Sequence, residues 1–231
     1  MMRHRYLAII TACVLGAACG IDTPAPAATP PPAAAAAAPS PTPVASRPRI
    51  VFLGDSLTAG LGLSQAQSFP ALIGQRLATE GFDYEIVNAG VSGDTTAGGL
   101  RRLEWSLEGD VKILVVALGA NDGLRGLSPA EMKKNLATVI ERGTAKGATI
   151  LLAGMEAPPN FGADYTREFR EVYAELARER QVRYLPFLLL GVAGDQSLNQ
   201  ADGIHPNVRG AQIVADLVWA ELKPALARPN Q

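Results

Sequence analysis

A chain of 231 residues with 21 basic and 22 acidic side chains is close to neutral, and without clustered Lys or Arg it lacks the electrostatic footprint that nucleic acid needs. Its two cysteines, Cys13 and Cys19, both lie in the first 20 residues, which excludes disulfides, a cysteine nucleophile and cysteine-held metals from everything downstream. Beyond His4 the one histidine is His205, so a zinc site has no ligand set and no metal is expected.

Taken in chain order, Met1–Arg5 carries two arginines and Tyr6–Ala18 is apolar and small-sided. A basic head, a short apolar run and small residues at the cut form the pattern of an export signal, too short for a membrane span of about 20 apolar residues. Cys19 directly follows Gly16-Ala17-Ala18 and resembles the acceptor of a bacterial lipobox. Residues 1–18 are therefore expected to leave and Cys19 to carry lipid, with plain cleavage and release as the alternative. Cys13, after Ile10-Thr11-Ala12, is a competing match with a shorter apolar run before it. Loss of Arg3 and Arg5 leaves a net charge of about −3. Residues 20–48 hold nine prolines and ten alanines, a composition that cannot bury enough apolar surface to order itself. Segment 19–48 thus reads as a tether reaching on the order of 90 Å at about 3.1 Å per residue. The expected location is outside the cytoplasm, anchored to a membrane and facing the periplasm or cell exterior.

Residues 49–231 are enough for one core, burying about 70% of their unfolded surface. Apolar runs occur at 50–53, 84–87, 113–118 and 149–153, with a weaker one at 182–185. They lack the alternation of half-exposed strands, which suits parallel strands covered on both faces. Between them, 69–79 repeats apolar residues at three and four. Ser128-Pro129-Ala130-Glu131 predicts a capped helix start, with Lys146-Gly147 closing that helix. Segments 165–180 and 211–226 are amphipathic, and Trp105 and Trp219 fall in helical patterns that predict core positions. Strands alternating with helices predict an α/β, doubly wound, flavodoxin-like three-layer sandwich with a central parallel sheet of about five strands.

In such folds ligands bind beyond the carboxyl ends of the strands, near the topological switch point. Three successive strand ends carry glycine beside small polar residues: Gly54-Asp55-Ser56-Leu57, Asn88-Ala89-Gly90 and Gly119-Ala120-Asn121-Asp122. Ser56 either caps the next element or is a nucleophile. A serine nucleophile needs an adjacent base, and His205 is the sole candidate. Asp202, three residues earlier in Asp202-Gly203-Ile204-His205-Pro206, is within one turn of the imidazole, the arrangement of a serine triad. Taken singly, each piece also has an ordinary structural reading; together they point to chemistry.

With these four blocks the chain resembles the SGNH (GDSL-type) hydrolases, above all the bacterial thioesterase I/protease I/lysophospholipase and arylesterase group. Further resemblance lies in 91–100, 121–126 and 157–162, across nearly all of 49–231. One departure is Ala120, where many relatives carry glycine. The resemblance implies the SGNH hydrolase fold and a serine esterase acting on acyl esters, with thioester and lysophospholipid cleavage within its range. It implies Ser56 as nucleophile, His205 as base and later acid, and Asp202 as orienting carboxylate. The oxyanion hole would combine the N–H groups of Ser56 and Gly90 with the Asn121 amide. Asp55 reads as structural, accepting backbone donors. Leu124, Pro158, Asn160 and Phe161 are candidates for an acyl groove, against ordinary packing. No cofactor is implied, and the partner is a small-molecule acyl ester or lipid.

Other hydrolase and nucleotide patterns fail. An α/β-hydrolase elbow needs Gly two residues after the serine, where Thr58 stands. Gly60-Leu61-Gly62 lacks the third glycine of a dinucleotide loop, having Gln65 there. Two further readings stay open: a carbohydrate O-acetyl esterase, and a catalytically idle lipoprotein that keeps the fold for binding.

Overall fold

A computed structural model of the chain describes residues 47–226; the expected signal, Cys13, Cys19 and nearly all of the tether lie outside the described residues. Five strands form one parallel sheet: β1 (Arg49–Gly54), β2 (Glu85–Gly90), β3 (Val111–Ala117), β4 (Thr149–Ala153) and β5 (Arg183–Leu185), in the order β2-β1-β3-β4-β5. Ile50–Leu53 and Leu114–Val116 have no solvent contact, which is why they read as unbroken apolar runs. The edge strand β2 is mostly half-buried, and β5 is only three residues long.

Among the described residues eight α-helices connect and cover the sheet: α1 (Ser56–Ala59), α2 (Phe69–Thr79), α3 (Thr96–Arg101), α4 (Leu103–Ser106), α5 (Ala120–Leu124), α6 (Pro129–Ala145), α7 (Ala163–Arg180) and α8 (Val208–Leu222). Helices α2 and α8 pack together in one layer; α3, α6 and α7 form the other. Phe169 and Tyr173 of α7 and Met132 and Leu136 of α6 bury completely or nearly so against the sheet. The expected doubly wound sandwich is the observed one, with strand order reversing between β1 and β3.

Several boundaries differ from the sequence expectation, each for a local reason. Helix α8 starts three residues early because the Asn207 side chain accepts the N–H groups of Arg209 and Gly210. It gives way to a 3-10 turn at Lys223–Ala225, where Pro224 lies. At α6 the Ser128 hydroxyl accepts from Glu131 N–H, but the Glu131 carboxylate turns to Lys134 instead of closing the box.

Trp105 is a correction: it is 67% exposed, not core. Helix α4 has four residues and buries Leu103 and Ser106. Trp105, two positions after Leu103, faces away from that stripe. Trp219 is buried as expected, edge-on to Phe82 and flanked by the cations of Arg76 and Lys223.

Candidate active site

Register brings the three glycine-bearing strand ends to one rim. Gly54 pairs with Gly90 on one side and with Ala117 on the other, so the segments after β1, β2 and β3 rise side by side at the switch point. A Cβ at Gly90 would lie 2.2 Å from the backbone nitrogen of Ala59. The glycine is needed because α1 turns directly over the end of β2, a reason invisible in sequence. At Gly119, φ is +116° and a Cβ would meet the Tyr173 hydroxyl; that hydroxyl donates to Leu118 O at 2.9 Å and so props the turn that presents Asn121.

Ser56 is the first residue of α1. Asp55 caps it, with Oδ1 accepting Leu57 N–H at 3.0 Å. The expected structural use of Asp55 is present, and there is more: Oδ2 lies 3.4 Å from the Asn121 amide nitrogen. Burial pushes the Asp55 carboxyl up to about 6, although Leu57 N–H, nearby His205 and the Asn121 amide pull it down.

His205 reaches Ser56 from the far end of the chain. Its Nε2 is 2.9 Å from Ser56 Oγ and its Nδ1 is 2.7 Å from Asp202 Oδ2. The N–H groups of Ile204 and His205 donate to Asp202 Oδ1 at 2.9 and 3.0 Å. Those two donors and the His205 ring hold the Asp202 carboxyl down at about 2. An ionised Asp202 only accepts, so the neutral imidazole carries its proton on Nδ1 and presents a lone pair to the serine hydroxyl. The loop is braced by Gln200 N–H donating to His205 O at 2.8 Å and by Asn207 N–H donating to Leu198 O at 2.9 Å.

The remaining predicted polar groups sit close by with partners of their own. The Asn121 amide donates to Asp94 O at 3.0 Å. Gly90 N–H donates to Asn88 Oδ1 at 3.0 Å, and the Asn88 amide donates to Thr58 O at 2.8 Å. Arg102, which nothing in the sequence marked, threads beneath this rim. Its guanidinium donates to Asp94 Oδ2 at 2.6 Å, Ala89 O at 2.7 Å and Gly54 O at 2.7 Å.

A cavity of about 590 Å³ opens over Ser56, Asn121 and His205. Leu124 and Pro158 stand in its wall. Asn160 and Phe161 do not: Asn160 is exposed, and Phe161 packs on Tyr165 at 5.3 Å between ring centres and covers Gly126. The rest of the wall includes Met155, Glu156 and a part that sequence reasoning missed, Phe187, Leu189 and Ala193. That segment is irregular, and its signal was an apolar run, Phe187–Leu190, with no strand or helix period. Leu61, Leu124 and Ile204 line the cavity while 45–47% exposed, giving the mouth an apolar lip.

Comparison with known proteins points to one family. The model of the GDSL-like lipase/acylhydrolase family matches residues 52–213. The esterase TesA of Pseudomonas aeruginosa is 45% identical over 183 residues, covering 79% of this chain and 91% of the relative. Thioesterase 1/protease 1/lysophospholipase L1 of Escherichia coli K12 is 35% identical, covering 78% and 86%. Among solved structures, the psychrotrophic esterase EstA of a Pseudoalteromonas species, inhibited by monoethylphosphonate, superposes with a TM-score of 0.73 at 32% identity, covering 76% of this chain and 97% of that one.

Proposed function

The chain belongs to the GDSL-like lipase/acylhydrolase family, and on that premise we propose that it is a serine esterase cleaving acyl esters, with thioesters and lysophospholipids within its range. The observation that carries this reading is the unbroken relay from Asp202 through His205 to Ser56, at 2.7 and 2.9 Å, under a cavity with an apolar lip.

In the first half-reaction Ser56 Oγ attacks the acyl carbonyl carbon while His205 Nε2 takes its proton. The carbonyl oxygen becomes an oxyanion that accepts from the N–H groups of Ser56 and Gly90 and from the Asn121 amide. Gly90 N–H exchanges Asn88 Oδ1 for the oxyanion at this step. Collapse expels the alcohol or thiol, protonated by His205, and leaves an acyl-enzyme. Water, deprotonated by His205, attacks that ester, and as the acid leaves His205 returns the proton to Ser56 Oγ. The apolar lip and the Leu124, Leu189 and Phe187 wall suit an acyl chain, whose burial contributes about 0.8 kcal/mol per methylene.

The test is labelling of the purified protein with a fluorophosphonate, read by intact mass and peptide mapping. One adduct on Ser56, absent from Ser56→Ala and His205→Ala, is the expected result. An adduct elsewhere, or none on folded protein, sinks the mechanism. A p-nitrophenyl ester series from acetyl to dodecanoyl then separates an acyl-groove enzyme from one restricted to O-acetyl groups.

We also propose that residues 1–18 are an export signal and that Cys19 is lipidated, placing residues 49–231 at the end of a tether outside the cytoplasm. The basic head, the apolar run and Gly16-Ala17-Ala18 before Cys19 support this.

A further inference from the structure

We propose that Arg102 is the positioning residue of the oxyanion hole, fixing and strengthening its donors from beneath without touching substrate. The proposal rests on the reading above, in which Gly90 N–H and the Asn121 amide receive the oxyanion.

Three bonds from one guanidinium converge on the supports of these donors. Ala89 C=O, which accepts from Arg102 at 2.7 Å, belongs to the same planar peptide as Gly90 N–H. Fixing that carbonyl therefore fixes the direction of the N–H. A cation bonded to the carbonyl also draws electron density through the amide and makes its N–H a stronger donor. Gly54 C=O, held at 2.7 Å, is one peptide before the one that carries Ser56 N–H. It also accepts Val91 N–H at 3.0 Å, so the β1 and β2 ends are locked to each other at Arg102.

The third bond, to Asp94 Oδ2 at 2.6 Å, anchors the residue whose own carbonyl accepts the Asn121 amide at 3.0 Å. The side chains of Arg102 and Asp94 are each 17% exposed, so the pair is largely screened from solvent. A lysine would retain the charge but not the flat fork that meets three acceptors at once.

The experiment compares Arg102→Lys and Arg102→Met with Asn121→Ala in the purified protein. It measures kcat and KM on a p-nitrophenyl ester, Kd for an alkyl boronic acid that forms a tetrahedral adduct on the serine, and the amide proton shift of Gly90. We expect kcat to fall about 10-fold in Arg102→Lys and about 100-fold in Arg102→Met, with KM within threefold. Boronate affinity should fall in parallel, and the Gly90 amide proton should move upfield.

Wild-type kcat and an unmoved Gly90 amide in folded Arg102→Lys would overturn the proposal, as would a kcat loss with unchanged boronate affinity. Should Arg102→Met not fold, Arg102→Lys alone decides. Asn121→Ala is the reference for the parent reading, expected to lose 10²–10³ in kcat. Wild-type kcat in that variant would overturn the oxyanion assignment itself, a result distinct from failure of Arg102 alone.

Discussion

Asp55 holds a carboxyl with 1% exposure one residue before Ser56, and its protonation should be visible in the stability of the protein. Burial raises it from 3.8 to about 6, so the native state binds this proton more tightly than the unfolded chain does. Stability from this group is therefore fully present below pH 3.8 and is lost as pH rises through 6, by about 3 kcal/mol in all. Asn at 55 keeps an oxygen for the Leu57 cap but cannot titrate. The unfolding free energy of Asp55→Asn minus that of wild type, from urea melts, should thus rise by about 2 kcal/mol between pH 4 and pH 8, the variant gaining on wild type as pH increases. A flat difference would show that Asp55 ionises normally. Activity should nonetheless fall in this variant, because the new amide NH₂ replaces the carboxylate oxygen facing the Asn121 amide. Asp202 behaves oppositely: held at about 2, it remains ionised from pH 4 upward, so its orienting bond to His205 is constant across the working range.

At the scale of elements, the close approach of α1 to the end of β2 is the most demanding contact of the site. Gly90→Ala would place a methyl 2.2 Å from Ala59 N, and neither backbone can yield without displacing Ser56 or opening the β1–β2 pair. Overpacking of this kind typically costs about 1–3 kcal/mol or more. Gly147 makes the contrast: it closes α6 at φ +84° with nothing within 4 Å, so Gly147→Ala meets only the left-handed backbone cost of about 1–2 kcal/mol. Thermal melts and kcat should separate the two, since at about 2–4 °C per kcal/mol both variants lose Tm but Gly90→Ala alone loses kcat. Equal kcat in the two would mean that β2 does not set the site. Legibility in the sequence divides in the same way, between local and distant causes. Thr149–Ala153 and Phe69–Thr79 came out with their observed ends, because burial on both faces and a helical period are local signals. Asp202 and His205 were legible because three residues span one turn. Helices α3, α4 and α5, of four to six residues, are too short to show a period, and Trp105 was misplaced for that reason. Arg102 was invisible because two of its three acceptors are backbone carbonyls 13 and 48 residues away. The Phe187–Ala193 wall has turns and no period, so nothing local announced it.

At the scale of the whole molecule, the groups of the proposed mechanism and the proposed attachment point fall on separate stretches of chain. Every group of the proposed mechanism lies between Ser56 and His205, and no helix among the described residues is long and apolar enough to cross a membrane. The proposed attachment through Cys19 is by acyl chains, each buried methylene adding about 0.8 kcal/mol and two or more chains making the anchor stable. The proposed anchor contributes no group to that mechanism, so its loss should move the enzyme without altering its chemistry. In a bacterial host, Cys19→Ser should shift the protein from the membrane pellet to the soluble fraction. Its kcat/KM on a soluble p-nitrophenyl ester should stay within twofold of wild type, and Cys13→Ser should stay in the pellet. Retention of Cys19→Ser in the pellet would sink the anchor. A fall in its kcat/KM would instead show that the stretch before residue 49 contributes to the site, which the closure of the relay within Ser56, Asp202 and His205 argues against.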